Sequence, residues 1–179
     1  RAFARVRDRH PEWRLVLVGH QLERECARVG VAMDRIDVRR PTKNAALAPL
    51  IGRCGIFVLP SRSEAMGRVL LEAAAACKPR VGTAVDGIPT VIADGVDGEL
   101  VPKEDEVALA ASLSRLMGSR ELRASLGARG REVEVGREAQ RADRLVVGMA
   151  DHLHAARFGA QALTHALQHR DEARLDGGG

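Results

Sequence analysis

The sequence predicts an α/β fold of the Rossmann-like class, in which a parallel sheet carries helices on both faces. Short apolar runs that stop at glycine or proline alternate with longer segments whose apolar residues recur at helical spacing. Two of these runs, 14–18 and 55–59, end at Gly19 and Pro60. Strands that alternate with helices usually pair in parallel, because each helix returns the chain to the same end of the sheet.

The first half of the chain is predicted to hold three strands and three helices in alternation. The first helix has Phe3 and Val6 on one face and is closed by Pro11. The third helix contains Pro49, which is expected to restart or kink it. The predicted elements are helix 1–10, strand 14–18, helix 21–29, strand 35–38, helix 44–53 and strand 55–59.

The second half continues this alternation and ends in amphipathic helices. We expect one domain over 1–158, followed over 159–179 by a tail that is partly helical or mobile. The chain opens on an arginine and reaches a strand within fifteen residues, so we expect it to be a piece of a longer protein. The predicted elements are helix 66–76, strand 80–85, a helical turn over 88–93, an edge strand over 98–101, and helices over 107–117, 120–133 and 137 to about 154.

The composition fits a globular domain and argues against nucleic-acid binding. Apolar residues make up 45% of the 179 residues, which is enough for a core. The net charge is +4, but basic and acidic residues are interleaved, and the chain has no tyrosine, one tryptophan and three phenylalanines to stack on bases. No apolar run approaches the roughly 20 residues of a membrane span. Three cysteines without metal spacing indicate a cytoplasmic protein, and the basic charge leaves peripheral membrane association open.

The stretch 59–102 carries most of the chemistry. An apolar strand ending at Leu59 passes through a polar loop into a helix, which places backbone N–H groups at the carboxyl edge of the sheet and favours an anion such as phosphate. Glu64 and Glu72 lie on either side of Gly67, where a ligand can approach the backbone closely. Two carboxylates beside a phosphate indicate a ligand with hydroxyl groups, such as a sugar. The alternative is a capping box between Ser61 and Glu64, with Glu72 merely solvated.

Other polar residues predict no metal site. His165 and His169 lie four apart but lack a third ligand at metal spacing. Asp94 and Asp97, each followed closely by glycine, resemble a calcium loop without its glutamate at position 12, so a tight turn is expected. His20 follows the second predicted element, where it either contacts a ligand or is simply solvated.

The segment Glu-Ala-Met-Gly-Arg-Val-Leu-Leu-Glu at 64–72 resembles the paired-glutamate motif of retaining glycosyltransferases with the GT-B fold, especially glycosyltransferase family 4. Three further segments match that family in order and spacing. Residues 72–79 stand where the family has a helix that ends in a Gly-x-Pro turn, 87–92 where it has Gly-Gly-x-Pro-Glu, and 94–102 where it has Asp-Gly-x-x-Gly-x-Leu-Val-Pro. The resemblance implies the C-terminal, donor-binding half of a GT-B enzyme.

The resemblance also implies a role for each residue of the motif. Glu64 would contact the transferred sugar as the catalytic residue, and Glu72 would hold the ribose of the nucleotide. The donor would be a nucleotide diphosphate sugar, such as a UDP- or GDP-sugar, with no cofactor and no metal. An acceptor carbohydrate or lipid would bind through an N-terminal domain. The stretch Ala65, Met66, Gly67, Arg68 and Val69 would face the diphosphate, and Arg40 and Pro41 would lie near the base or form a basic surface turn.

Three departures from the family pattern bear on activity. Asp86 replaces a glycine of the phosphate-facing loop, Thr90 replaces its glutamate, and Cys77 with Lys78 replaces a Gly-Leu pair, so a positive φ after the helix is either absent or strained. The expected activity is sugar transfer by the whole enzyme, with this chain inactive alone. Two alternatives stay open: a degenerate, non-catalytic sugar-nucleotide-binding scaffold, and a GT-B epimerase acting on a nucleotide sugar.

Overall fold

The computed structural model describes the backbone of residues 1–40 and 44–149, and the side chains of 1–40 and 47–137. The chain divides into two compact units, Arg1–Arg137 and Glu138–Gly179. The first unit contains every strand of the described residues. In chain order the elements are α1 (Ala2–Val6), β1 (Leu15–Val18), α2 (Leu22–Arg28), β2 (Ile36–Arg39), α3 (Asn44–Arg53), β3 (Phe57–Leu59), α4 (Arg68–Ala75), β4 (Arg80–Thr83), a 3-10 turn (Ile88–Thr90), β5 (Glu99–Val101), α5 (Glu106–Gly118) and α6 (Arg120–Met149).

Every strand pairing in the described residues is parallel, which confirms the predicted fold class. β1 pairs with β2, with Leu15 opposite Ile36, and β3, β4 and β5 pair in that order, with Val58 opposite Val81. The strands form one two-stranded and one three-stranded sheet. Both sheets nevertheless contribute half-buried residues to the same core cluster around α1 and α5.

Helices cover both faces of the three-stranded sheet. β4 is buried along its whole length, and its successive residues point to opposite faces. Val81 packs with Leu116 of α5 and Leu126 of α6. A Cβ on its neighbour Gly82 would instead lie 2.7 Å from Ile88 Cγ2, on the face where α4 packs. The sheet therefore lies between two helical layers, as a doubly wound fold requires.

Helix boundaries were wrong for the first predicted helix and for the last two. The first helix ends at Val6 rather than at residue 10, because Arg9 and His10 donate to the carbonyl oxygens three residues back and form tight turns. The third helix, α3, has the predicted bounds and runs through Pro49 without a restart. The two helices predicted over 120–133 and 137–154 are one helix, α6, whose interior Gly136 is tolerated. The rest of the predicted helix and the tail lie outside the described residues.

A strained turn ends α4. Cys77 has φ +54°, and its N–H donates to the carbonyl oxygen of Ala74 while that of Lys78 donates to Ala73, both at 2.9 Å. This pair of bonds is the Schellman motif, in which the residue after the helix adopts the left-handed conformation. The sequence predicted that a positive φ after this helix is either absent or strained, and in the structure Cys77 has the strained positive φ.

Replacing Cys77 by glycine is expected to raise the free energy of unfolding by about 0.5–1 kcal/mol, because glycine adopts positive φ without steric strain. This gain is what remains after the opposing effect of glycine, which adds entropy to the unfolded chain. The exposed thiol contributes little packing. Urea unfolding followed by the fluorescence of Trp13 measures the change. Cys77→Ala is the matched control, since it removes the thiol but keeps the Cβ. An equal gain in both variants would show that the strain is not the cause.

Candidate functional site

Two loops leave the carboxyl ends of neighbouring strands and meet there. The 60–67 loop follows β3 and leads into α4, and the 84–87 loop follows β4. The hydroxyl of Thr83, at the end of β4, donates to the carbonyl oxygen of Ser61 at 2.6 Å. In parallel α/β sheets ligands usually bind at this edge, because the helix N-termini point toward it.

Helix α4 begins without a side-chain cap. Its N-cap is Gly67, with φ 68° and ψ 47°, which has no side chain to cap the helix. A Cβ here would lie 3.0 Å from Leu70 Cδ1 and 3.3 Å from Leu59 Cδ2. Backbone angle and packing both favour glycine. The amides of Arg68 and Val69 follow at the positive end of the helix dipole, where an anion is stabilised.

The side chain of Glu64 lies beside this helix start. It is half-buried, and its Oε1 accepts a hydrogen bond from the N–H of Gly67 at 3.2 Å. The capping box with Ser61 is not formed, because α4 begins only at Arg68 and Ser61 lies well before its first turn. A carboxylate in this place can accept further hydrogen bonds from ligand hydroxyl groups.

Glu72 is held by a different element from Glu64. It is the fifth residue of α4, so it lies little more than one turn inside the helix, because 64–67 is loop. The residue is half-buried and lines an open groove of about 320 Å³ between α3 and α4. The other lining residues are Ala48, Ile51, Ala75 and Ala76.

Asp86 binds the 60–67 loop. Its Oδ2 accepts hydrogen bonds from the hydroxyl of Ser63 at 2.7 Å and from the N–H of Glu64 at 3.0 Å. The Ser63 hydroxyl, the Glu64 amide and the charge of Lys103 together hold the pKa of Asp86 below its ordinary value. Asp86 also has φ +42°, in the left-handed region. The acid that replaces a family glycine is thus engaged in loop-to-loop contacts.

Gly87 lets the two loops approach each other closely. Its N–H donates to the carbonyl oxygen of Glu64 at 3.0 Å. A Cβ at this position would lie 1.9 Å from the carbonyl oxygen of Ala65 and 2.9 Å from Met66 Cα. Both atoms belong to the backbone, so only glycine fits here without moving a loop.

The remaining predicted residues occupy several elements. Ala65, Met66 and Arg68 are exposed, and Val69 is half-buried. Arg40 is exposed directly after β2, whereas Pro41 lies outside the described residues. Ser63 was found only from the structure, and so were the contacts that Asp86 and Gly87 make with the 60–67 loop. An Asp-Gly pair after a strand is a turn signal, but its contact with a loop 22 positions away is not visible in the sequence.

The polar residues considered for metal binding have other partners where the structure describes them. Asp94 accepts from the N–H of Leu100 at 2.8 Å, and Asp97 accepts from that of Ala93 at 2.9 Å and pairs with Arg80. The predicted tight turn is confirmed by the bond from the Val96 N–H to the carbonyl oxygen of Ala93 at 3.0 Å. Within the described part of the chain, no three His, Cys, Asp or Glu residues cluster as metal ligands do. His165 and His169 lie outside it.

The comparison with family models decides the family. The model for glycosyl transferases group 1 matches residues 1–133. The chain belongs to the glycosyl transferases group 1 family. The predicted resemblance to glycosyltransferases is therefore confirmed at the level of this group.

The curated relatives include proteins named as glycosyltransferases and one named as a phosphotransferase. A D-inositol 3-phosphate glycosyltransferase from Stackebrandtia nassauensis is 35% identical over 142 residues, which cover 72% of this chain and 32% of that protein. An exopolysaccharide phosphotransferase from Streptomyces coelicolor is 36% identical over 137 residues, which cover 73% of this chain and 14% of that protein. This group 1 chain spans a third or less of the length of the curated relatives it matches.

Solved structures show the fold. The C-terminal domain of a group 1 glycosyl transferase (LpcC) from Francisella tularensis superposes with a TM-score of 0.66 at 22% identity, covering 76% of this chain and 75% of that one. Anabaena HepE in complex with UDP superposes with a TM-score of 0.64 at 21% identity, covering 76% of this chain and 42% of that one. The group 1 chain thus has the fold of the C-terminal half of a GT-B glycosyltransferase. None of its helices in the described residues combines the length and apolar character that a bilayer span requires.

Proposed function

We propose that this chain is the donor-binding domain of a retaining, family 4 glycosyltransferase that transfers a hexose from a nucleotide diphosphate sugar. The donor would bind at the junction of the 60–67 loop, the 84–87 loop and the start of α4. The observation that carries the proposal is the glycine-started helix α4, with the Glu64 carboxylate beside its N-terminus and Glu72 little more than one turn inside it. Membership of a glycosyltransferase family narrows the ligand from any anion to a sugar donor.

The diphosphate would lie against the first turn of α4. The backbone of Gly67 is approachable because it has no side chain, and the amides of Arg68 and Val69 point outward from the helix start. Arg68 is exposed and adds a positive charge at the same place. Such an arrangement stabilises the charge on the leaving diphosphate without a metal ion or cofactor.

The two glutamates would recognise the two sugar rings. Glu64 would bind the transferred hexose, since its carboxylate lies directly before the helix start. Glu72 would bind the ribose, with the nucleoside along the groove that it lines between α3 and α4. Arg40, exposed after β2, and its neighbour Pro41 would then lie toward the base. UDP is the first nucleotide to test, because the similar HepE structure contains it.

Catalysis would rest on positioning and on stabilising the leaving group. An acceptor carbohydrate or lipid would be bound by a further, N-terminal domain, so this chain alone would bind the donor without transferring the sugar. We expect the enzyme to work in the cytoplasm, in part at the inner face of the membrane. A degenerate scaffold would bind the same donor but would not turn it over even with that domain restored.

Alanine at Glu72 is expected to weaken binding of UDP and UDP-glucose alike, whereas alanine at Glu64 should weaken only UDP-glucose. Loss of a charge-assisted hydrogen bond of roughly 1.5–3 kcal/mol corresponds to an increase in Kd of about 10- to 100-fold. Calorimetric titration of both variants with both ligands measures the pattern. Glu132→Ala, which removes an exposed glutamate of α6, is the matched control. Equal losses for both ligands in both variants would contradict the separate roles.

A further inference from the structure

We propose that Asp86 is a positioning residue, which fixes the main chain of Glu64 and thereby sets where the Glu64 carboxylate meets the donor sugar. The inference rests on the proposed function, because it assumes that Glu64 contacts that sugar. It assigns to Asp86 the role of holding Glu64 in place. Without such a role, an acid would be unfavourable near a diphosphate.

The 84–87 loop binds both the N–H and the C=O of Glu64. Asp86 Oδ2 accepts from the Glu64 N–H at 3.0 Å, and the next residue, Gly87, donates its own N–H to the Glu64 carbonyl oxygen at 3.0 Å. Two consecutive residues of the 84–87 loop therefore bind the N–H and the C=O of Glu64. This leaves the Glu64 backbone little freedom to rotate.

The side chain of Glu64 is held at its other end as well. Its Oε1 accepts from the Gly67 N–H at 3.2 Å. With the backbone bound by Asp86 and Gly87, and the carboxylate bound at the start of α4, the glutamate is fixed at three points. The hydroxyl of Ser63, which donates to the same Asp86 oxygen at 2.7 Å, keeps the aspartate side chain turned toward the 60–67 loop.

The conformation of Asp86 agrees with a dedicated role. Its φ of +42° is a region that glycine adopts freely and that side chains adopt at a cost, although aspartate is enriched there. Glycine would satisfy the backbone without strain but would supply no acceptor for Ser63 and Glu64. The carboxylate is therefore the property that distinguishes aspartate from glycine at this position.

The contact is retained at neutral pH. The hydroxyl of Ser63, the amide of Glu64 and the nearby Lys103 lower the pKa of Asp86, so that it is ionised and accepts hydrogen bonds throughout the neutral range. Because the pKa is lowered on folding, the contribution of these bonds is present above the ordinary aspartate pKa and is lost as the pH falls through the lowered value.

Two variants separate the carboxylate from the backbone conformation. Asp86→Gly removes the acceptor while keeping the positive φ free of strain. Asp86→Asn keeps an oxygen acceptor and a residue that tolerates positive φ, and it is the matched rescue variant. Both are titrated calorimetrically in the 179-residue chain with UDP and UDP-glucose, and with GDP and GDP-mannose if UDP does not bind. Hydrogen exchange of the Glu64 amide is measured by NMR without ligand.

In Asp86→Gly the Kd for the nucleotide sugar is expected to rise about tenfold, while that of the free nucleotide stays within about twofold, because only the sugar contact depends on Glu64. The Glu64 amide should exchange faster, and Asp86→Asn should restore both properties. If the amide loses protection but both ligands bind as before, or weaken equally, Asp86 is only a structural contact and the proposal is overturned, while donor binding stands. If the wild-type chain binds no nucleotide, the proposed function itself has failed, and the exchange data then report only the loop contact.

Discussion

Replacing Asp97 by alanine is expected to lower the free energy of unfolding by about 3–5 kcal/mol, because it leaves a buried arginine without its counter-charge. Asp97 Oδ1 lies 3.0 Å from Arg80 Nη2, and the two side chains are 2% and 1% exposed. The same oxygen accepts the N–H of Ala93. Arg80 further donates to the carbonyl oxygens of Val91 and Asp97, so the pair joins β4 to the segment before β5.

A loss of this size is a large fraction of the stability of an ordinary domain. Urea unfolding with Trp13 fluorescence and circular dichroism measures it. The matched control is Asp37→Ala, which breaks an ion pair with Arg39 that is about 40% exposed on both sides and should change stability by less than about 1 kcal/mol. Similar losses in the two variants would show that burial of the Arg80–Asp97 pair is not what makes it important.

Replacing Gly87 by alanine is expected to force the two loops apart. The new Cβ would lie 1.9 Å from the carbonyl oxygen of Ala65, a backbone atom that cannot rotate away. We expect a loss of stability of about 1–3 kcal/mol, as for other overpacked positions. Separation of the loops would also break the bond from the Gly87 N–H to the Glu64 carbonyl oxygen, which helps to hold Glu64 in place. If the Glu64 carboxylate then loses its charged hydrogen bond to the sugar, binding of UDP-glucose should weaken by at least about tenfold.

Gly136→Ala is the control for this substitution. A Cβ at Gly136 meets no atom within 4 Å, and the residue lies within α6. Alanine there should raise the free energy of unfolding by up to about 1 kcal/mol and leave ligand binding unchanged. Titration and urea unfolding of both variants test the pair. Unchanged binding of UDP-glucose by Gly87→Ala would contradict the close contact of the loops.

The order of the elements could be predicted from local pattern, while their boundaries and pairing could not. Apolar runs bounded by Gly19 and Pro60 predicted β1 and β3 because burial and turn formation are properties of short segments. The division of the strands into a two-stranded and a three-stranded sheet was not predicted, since which strands pair depends on the whole chain. The break predicted before Arg137 was also wrong. Gly136 disfavours a helix only weakly, and α6 continues through it.

The site was only partly visible in the sequence for a related reason. Gly67 and the loop before α4 were identified because one stretch contains the strand, the loop and the helix. The contact of Asp86 with Glu64 joins residues 22 positions apart, and it depends on the packing of β3 against β4. In the sequence Asp86 was therefore only a departure from the family pattern, whereas in the structure its carboxylate is bound to the neighbouring loop.

The measurement that tests the central claim most directly is calorimetric titration of the wild-type chain with UDP, GDP and ADP and with their glucose or mannose conjugates, repeated on Glu72→Ala. We predict saturable binding of one nucleotide, about 10- to 100-fold weaker in the variant. That result would establish the donor site and name the base. Binding of no nucleotide, or binding that Glu72→Ala leaves unchanged, would contradict the assignment of the donor site to α4 and its flanking loops.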